Sequence, residues 1–245
     1  MPPTHQLFIT TILSCVFATQ GMADVKKLPP VPESRTERVI EGWKVRIDER
    51  LLDPTAQPDG ERILDSLKSR LSDICIIVPE PALGKLQGVT IVLDVSCGSL
   101  TNMQYHPGQK WLEDNGHEAD LVKCVHIPVG EMLLQPRQTN VQPWVVLHEL
   151  AHAYHDQVLG FDEKRIMAAY QKFKKSGRGK DCLLVTGNRH EHYGLTNQKE
   201  FFAEMTESYF GCNDFFPFNR GELKEHEPEI LALMMAIWEP SEESQ

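Results

Sequence analysis

Between Pro143 and Gly160 the chain reads PWVVLHELAHAYHDQVLG, and this stretch restricts the fold more than any other. Val146, Leu147, Leu150, Ala151 and Tyr154 recur at helical spacing, Pro143 suits a first helical position, and Gly160 suits a stop. The pattern predicts a helix that lays an apolar face on a core. In its middle stands His148-Glu149-Leu150-Ala151-His152, an H-E-x-x-H arrangement. Histidines at i and i+4 lie one turn apart on one helical face, so both imidazoles reach a single Zn²⁺ at about 2.0–2.1 Å. Glu149, next to the first ligand, is placed to act as general base on a zinc-bound water.

A catalytic zinc takes three protein ligands and leaves a position open. A third histidine six residues after His152 would fall on Val158, which has no donor atom. His155 and Asp156 share the helix but would reach the same ion only under strain. They are assigned to the helix surface or to hydrogen bonds behind a ligand. A better source is Thr196-Asn197-Gln198-Lys199-Glu200-Phe201-Phe202-Ala203-Glu204, where Glu200 and Glu204 share a helical face. One carboxylate can bind the ion while the other orients a ligating histidine. Spacing leaves both assignments open, and Asn197-x-x-Glu200 also matches a capping box in which Glu200 only caps the helix.

Further residues extend the pattern. His192-Tyr193-Gly194-Leu195-Thr196-Asn197, running into Glu200-Phe201-Phe202-Ala203-Glu204 downstream of HELAH, resembles the lethal-factor-like zinc metallopeptidases. In that family a Tyr-Gly-x-Thr-Asn segment precedes the glutamate ligand. The resemblance spans Val145 to Phe210, under a third of the chain. It implies a zincin-like α+β fold and one Zn²⁺ per chain, held by His148, His152 and Glu200. It further implies Glu149 as catalytic base, Glu204 as the carboxylate behind a ligand, and Tyr193 as the hydroxyl that stabilises the oxyanion. A peptide or protein substrate follows from it. The same site would serve a zinc amidase acting on non-protein amides. A non-catalytic zinc-containing binding protein needs neither Glu149 nor Tyr193.

The rest of the sequence sets the frame. Gly42 to Leu52 alternates Trp43, Val45 and Ile47 with Lys44, Arg46 and Asp48, which predicts a strand. Gly60 to Ile74 predicts a helix, and Gly88 to Val95 and Cys124 to Val129 predict strands, with a turn-rich stretch from Tyr105 to Ala119 between them. Helices are predicted over Asp162 to Lys175, Asn197 to Phe210 and Glu222 to Trp238, with a short strand at Leu183 to Val185. Strands gathered early and helices late argue for α+β. A net charge of −10 removes most of the case for a nucleic-acid binder. His190 and His192 are read as solvated loop residues or substrate contacts. The run Lys172, Lys174, Lys175, Arg178, Lys180 is read as a solvated helix end.

Residues 7 to 18 (LFITTILSCVFA) form an uncharged apolar run too short to span a bilayer but suited to a signal peptide. Gly21-Met22-Ala23 suits cleavage before Asp24. The sequence therefore divides into a signal peptide (1–23), a Pro-rich linker (24–40) and a single domain (41–240), with a secreted or periplasmic destination and no membrane span. Cys75, Cys97, Cys124, Cys182 and Cys212 would remain, enough for up to two disulfides in an oxidising compartment. The sequence specifies no oligomeric state.

Overall fold

The computed structural model describes residues 28–240. The expected signal peptide (1–23) and cleavage before Asp24 fall outside them. The described part of the linker is not linker throughout: Arg35–Ile40 form strand β1. It pairs antiparallel with β2 (Trp43–Asp48) through a two-residue turn, where Glu41 and Gly42 take φ of 48° and 91°. Glycine adopts that left-handed backbone without steric cost. The charged, half-exposed sequence RTERVI hid β1, because an edge strand carries little apolar alternation.

In β2 the alternation has its expected effect: Trp43, Val45 and Ile47 are fully buried. Two helices follow, α1 (Gly60–Ile77) and α2 (Ala82–Gln87), before β3 (Ile91–Leu93) returns parallel to β2. Ile63, Leu67, Leu71 and Ile74 make the buried stripe of α1. Then come β4 (Gln104–Tyr105), α3 (Gln109–Asp114) and β5 (Val125–Ile127). The predicted turn-rich stretch from Tyr105 to Ala119 thus holds the end of a strand and a short helix. The five strands run in the order β1-β2-β3-β5-β4, with β3 and β5 parallel and β4 antiparallel at one edge.

The chain combines helices with a mixed sheet, which is an α+β composition. The predicted active helix is α4 (Val145–Tyr154), continued by a π-helical turn over His155–Leu159 and ended at Gly160, φ 83°. Next are α5 (Lys164–Ser176), a small hairpin of β6 (Cys182–Leu183) and β7 (Arg189–His190), and α6 (Gln198–Phe210). The predicted last helix is two, α7 (Arg220–His226) and α8 (Pro228–Trp238). Pro228 disfavours a helical residue before it, and Glu227 is non-helical at φ −135°, ψ 55°.

Two contacts place α4 against α6. At the start of α4 the Trp144 ring lies over Gly211, where an added Cβ would stand 2.1 Å from the indole nitrogen. No side chain fits there, so glycine lets the two helix ends approach. At the other end the buried Trp238 of α8 packs on Tyr154 and Phe202, with ring centroids 4.4 and 5.7 Å apart. Burying each large apolar side chain of this kind contributes about 1.5–3 kcal/mol. Among the described residues the five cysteines are free thiols, so no disulfide braces this core. No helix there is long and apolar enough to cross a membrane.

Candidate metal centre

Helix α4 is buried almost all round: Val145, Val146, Leu147, Leu150, Ala151 and Ala153 pack into the main core. His148 and His152 project from it toward α6. Asn197 caps α6, its side chain accepting from the amides of Lys199 and Glu200 at 2.8 and 3.1 Å. The cap therefore engages the Glu200 main chain, while the Glu200 carboxylate turns to the histidines. Its Oε2 stands 3.3 Å from His148 Nε2 and 3.2 Å from His152 Nε2. The two imidazoles meet edge to face, centroids 4.8 Å apart.

These separations fit a metal. Donors placed tetrahedrally at about 2.0–2.1 Å from a zinc ion stand about 3.3–3.4 Å from one another. The donor set of two imidazoles and a carboxylate has the chemistry of such a site. In the absence of a cation, burial opposes the charged imidazolium of His148, but Glu200 and Glu207 outweigh burial and hold it protonated well above the ordinary histidine range. Burial likewise opposes the Glu200 carboxylate, yet hydrogen bonds from His148 and His152 push its pKa far below the usual value. The three side chains already favour one negative group facing positive charge, and a divalent ion can take over that role.

The carboxylate closest to the back of His148 belongs to Glu207, whose Oε1 lies 2.7 Å from Nδ1. Glu204, which the resemblance puts behind a ligand, is farther, with Oε1 3.8 Å from His148 Nδ1 and Oε2 3.9 Å from His192 Nδ1. Both glutamates are buried, and each keeps one oxygen without a partner. Burial and the neighbouring Glu207 raise the pKa of Glu204 well above the carboxylate range. The signal for Glu207 was present: Glu200, Glu204 and Glu207 follow the i, i+4, i+7 stripe that faces α4. Asp214 is a further buried acid of the same region, raised to about 6 by burial and by Glu207.

Glu149, next to His148 on α4, lies on the side of the cleft formed by the sheet edge. Its Oε2 accepts from the Tyr105 amide of β4 at 2.8 Å, and burial raises its pKa. Tyr193 begins a short turn, Tyr193–Leu195, and is 48% exposed. That turn is made by His192, whose Nδ1 accepts from Gly194 N at 3.0 Å. Tyr193, Glu149, Glu200 and both histidines line one cleft of about 820 Å³.

Two other expectations change, those for His192 and His155. His192 is not solvated but buried, stacked on Phe215, and burial lowers its pKa to about 3. His190 is exposed. His155 is no surface residue; it is fully buried between Phe161 and Phe202, with neither ring nitrogen bonded. Asp156 binds the Tyr105 hydroxyl at 2.7 Å and pairs with Lys123. The basic run is partly compensated, since Lys172 pairs with Glu229 and Arg178 with Glu227.

Among the described residues two further groups could hold an ion: His148 with Glu204 and Glu207, and Asp94 with Cys97 and His126. The first shares His148 with the centre above. In the second, both Asp94 oxygens already bind Arg35. No protein-family profile, curated protein or solved structure matches the chain.

Proposed function

We propose that this protein is a zinc-dependent metallopeptidase of the lethal-factor-like zincin type, exported by its N-terminal apolar run, that hydrolyses peptide bonds. The observation that carries the reading is the meeting of His148 Nε2, His152 Nε2 and Glu200 Oε2 at 3.2–3.3 Å in the cleft that also holds Glu149 and Tyr193. His148, His152 and Glu200 would hold the zinc ion. Bound there, the ion supplies Lewis acidity, polarising a carbonyl and bringing the pKa of a water to about 7.

The other steps belong to the chain. Glu149 takes the proton of the attacking water and passes it to the leaving amine. The Tyr105 amide engages Oε2 of that carboxylate and leaves Oε1 to carry the proton. Burial, which raises the Glu149 pKa, improves it as a base near neutral pH. Tyr193 donates its phenolic hydrogen to the oxygen where negative charge develops. Glu207 fixes the His148 ring by accepting from Nδ1, leaving Nε2 free to ligate.

The test is zinc analysis of the purified protein together with a peptide-library cleavage screen. About one zinc per chain and discrete cleavage are expected. Glu149→Gln should keep zinc and fold and lose nearly all turnover. A Glu149→Gln protein as active as wild type would remove this mechanism and favour a zinc-containing binding protein.

A further inference from the structure

Strand β4 is two residues long, too short to hold its place by its ladder alone. It nevertheless provides the amide that grips Glu149. Two sets of hydrogen bonds fix it. On the helix side, the Tyr105 hydroxyl donates to Asp156 Oδ2 at 2.7 Å and accepts from Gln157 Nε2 at 3.1 Å. Both partners belong to the π-helical turn that prolongs α4. Tyr105 thus holds the active helix at two points, Glu149 through its main chain and Asp156 through its side chain.

On the sheet side a buried polar chain runs behind β4. His106 Nε2 stands 3.3 Å from His126 Nδ1, and His126 Nε2 stands 2.8 Å from Asp94 Oδ2. An ionised carboxylate only accepts, so His126 Nε2 carries its hydrogen toward Asp94. Arg35 Nε and Nη2 each donate to Asp94 at 2.8 Å. Burial opposes the Asp94 charge, but Arg35 and His126 lower its pKa all the same. Asp94, His106 and His126 are at most 2% exposed. Apolar residues of similar volume would stabilise a sheet at least as well. A satisfied polar chain adds one defined geometry.

We propose that Tyr105 is the positioning residue for Glu149, locked by Asp156 on the helix side and backed by the Arg35–Asp94–His126–His106 chain on the sheet side. The proposal rests on the reading of Glu149 as the base. With the lock in place, the base and the edge of the sheet move as one body. Without it, the Tyr105 amide drifts and the carboxylate loses its anchor. A misplacement of about 1 Å at a reacting group costs on the order of 10²-fold in rate.

The test uses the full-length, zinc-loaded protein. Tyr105→Phe and Asp156→Ala should each lower kcat about 10- to 100-fold, with KM within about twofold and zinc content unchanged. The double variant should lose less than the two single losses combined, because both remove the Tyr105–Asp156 bond. Asp156→Asn keeps an acceptor oxygen and should recover most of the loss. A second measurement needs no turnover: hydrogen exchange at the Tyr105 amide should be slow in the wild type and fast in Glu149→Ala. Unchanged kcat in both single variants, Asp156→Asn as impaired as Asp156→Ala, or equal exchange in wild type and Glu149→Ala would each overturn the proposal. If the wild type cleaves no peptide, the hydrolase reading fails instead, and the exchange comparison still decides whether Tyr105 anchors Glu149.

Discussion

Replacing Glu207 by glutamine separates the two buried carboxylates behind His148. The Glu207 carboxylate is fully buried and lies 2.7 Å from Nδ1, within the range of a charge-assisted hydrogen bond. Glutamine keeps the shape and one acceptor but removes the charge that raises the basicity of the ligating imidazole. Loss of such a partner costs about 10–100-fold in metal affinity, or about 1.4–2.7 kcal/mol. Glu204 is 3.8 Å from the same nitrogen, too long for a hydrogen bond. Its replacement by glutamine should cost less than a tenfold change. Glu200→Gln alters a ligand and should cost the most. The assay is competition against a chromogenic zinc chelator at pH 7, with thermal melts of the zinc-free proteins to exclude unfolding. The order Glu200, Glu207, Glu204 is required. If Glu204→Gln weakens zinc more than Glu207→Gln, the geometric argument fails and the role implied by the family resemblance is restored to Glu204.

Tyr193→Phe should lower kcat by about 10²–10³-fold with little change in KM, because the hydroxyl acts only on charge that develops in the transition state. Full kcat with zinc and fold intact would reduce Tyr193 to an ordinary loop residue. Burial lowers the His155 pKa to about 4 from 6.5, so the unfolded chain binds its proton first as pH falls. Stability contributed by its neutral form is present above about pH 6.5 and is lost as pH falls toward 4, reaching about 2 kcal/mol at pH 5. His155→Leu should remove that share of the acid sensitivity, read from urea melts of the zinc-loaded protein at pH 7 and pH 5. Equal acid sensitivity in variant and wild type would refute the assignment.

Local sequence carried much of this architecture. The apolar stripe around HELAH, with Pro143 before it and Gly160 after it, marks a buried helix, because spacing of 3.6 residues is a property of the chain itself. Asn197 likewise announces the start of α6 through its cap. The spacing of Glu200 and Glu204 put a carboxylate near the histidines. It could not rank the two, since both lie on one face and only the packing of α6 on α4 sets the distances. That packing turns Glu200 to the Nε2 atoms and Glu207 to Nδ1, with Glu204 set back from both.

The long-range pieces were hidden for the same reason. Strand β1 is a charged edge, recognisable only once β2 lies beside it. Tyr105 and His106 sit in a polar stretch that reads as loop, yet strand pairing with β5 aims the Tyr105 amide at Glu149 across 44 residues of sequence. His155 and His192 look like surface histidines because nothing local buries them; Phe161, Phe202 and Phe215 do so from other segments. The sequence by itself therefore determined which histidines and carboxylates could share an ion and which helices present them. The tertiary structure decided which atoms meet, because hydrogen-bond distances and burial depend on neighbours that periodicity along one segment does not contain.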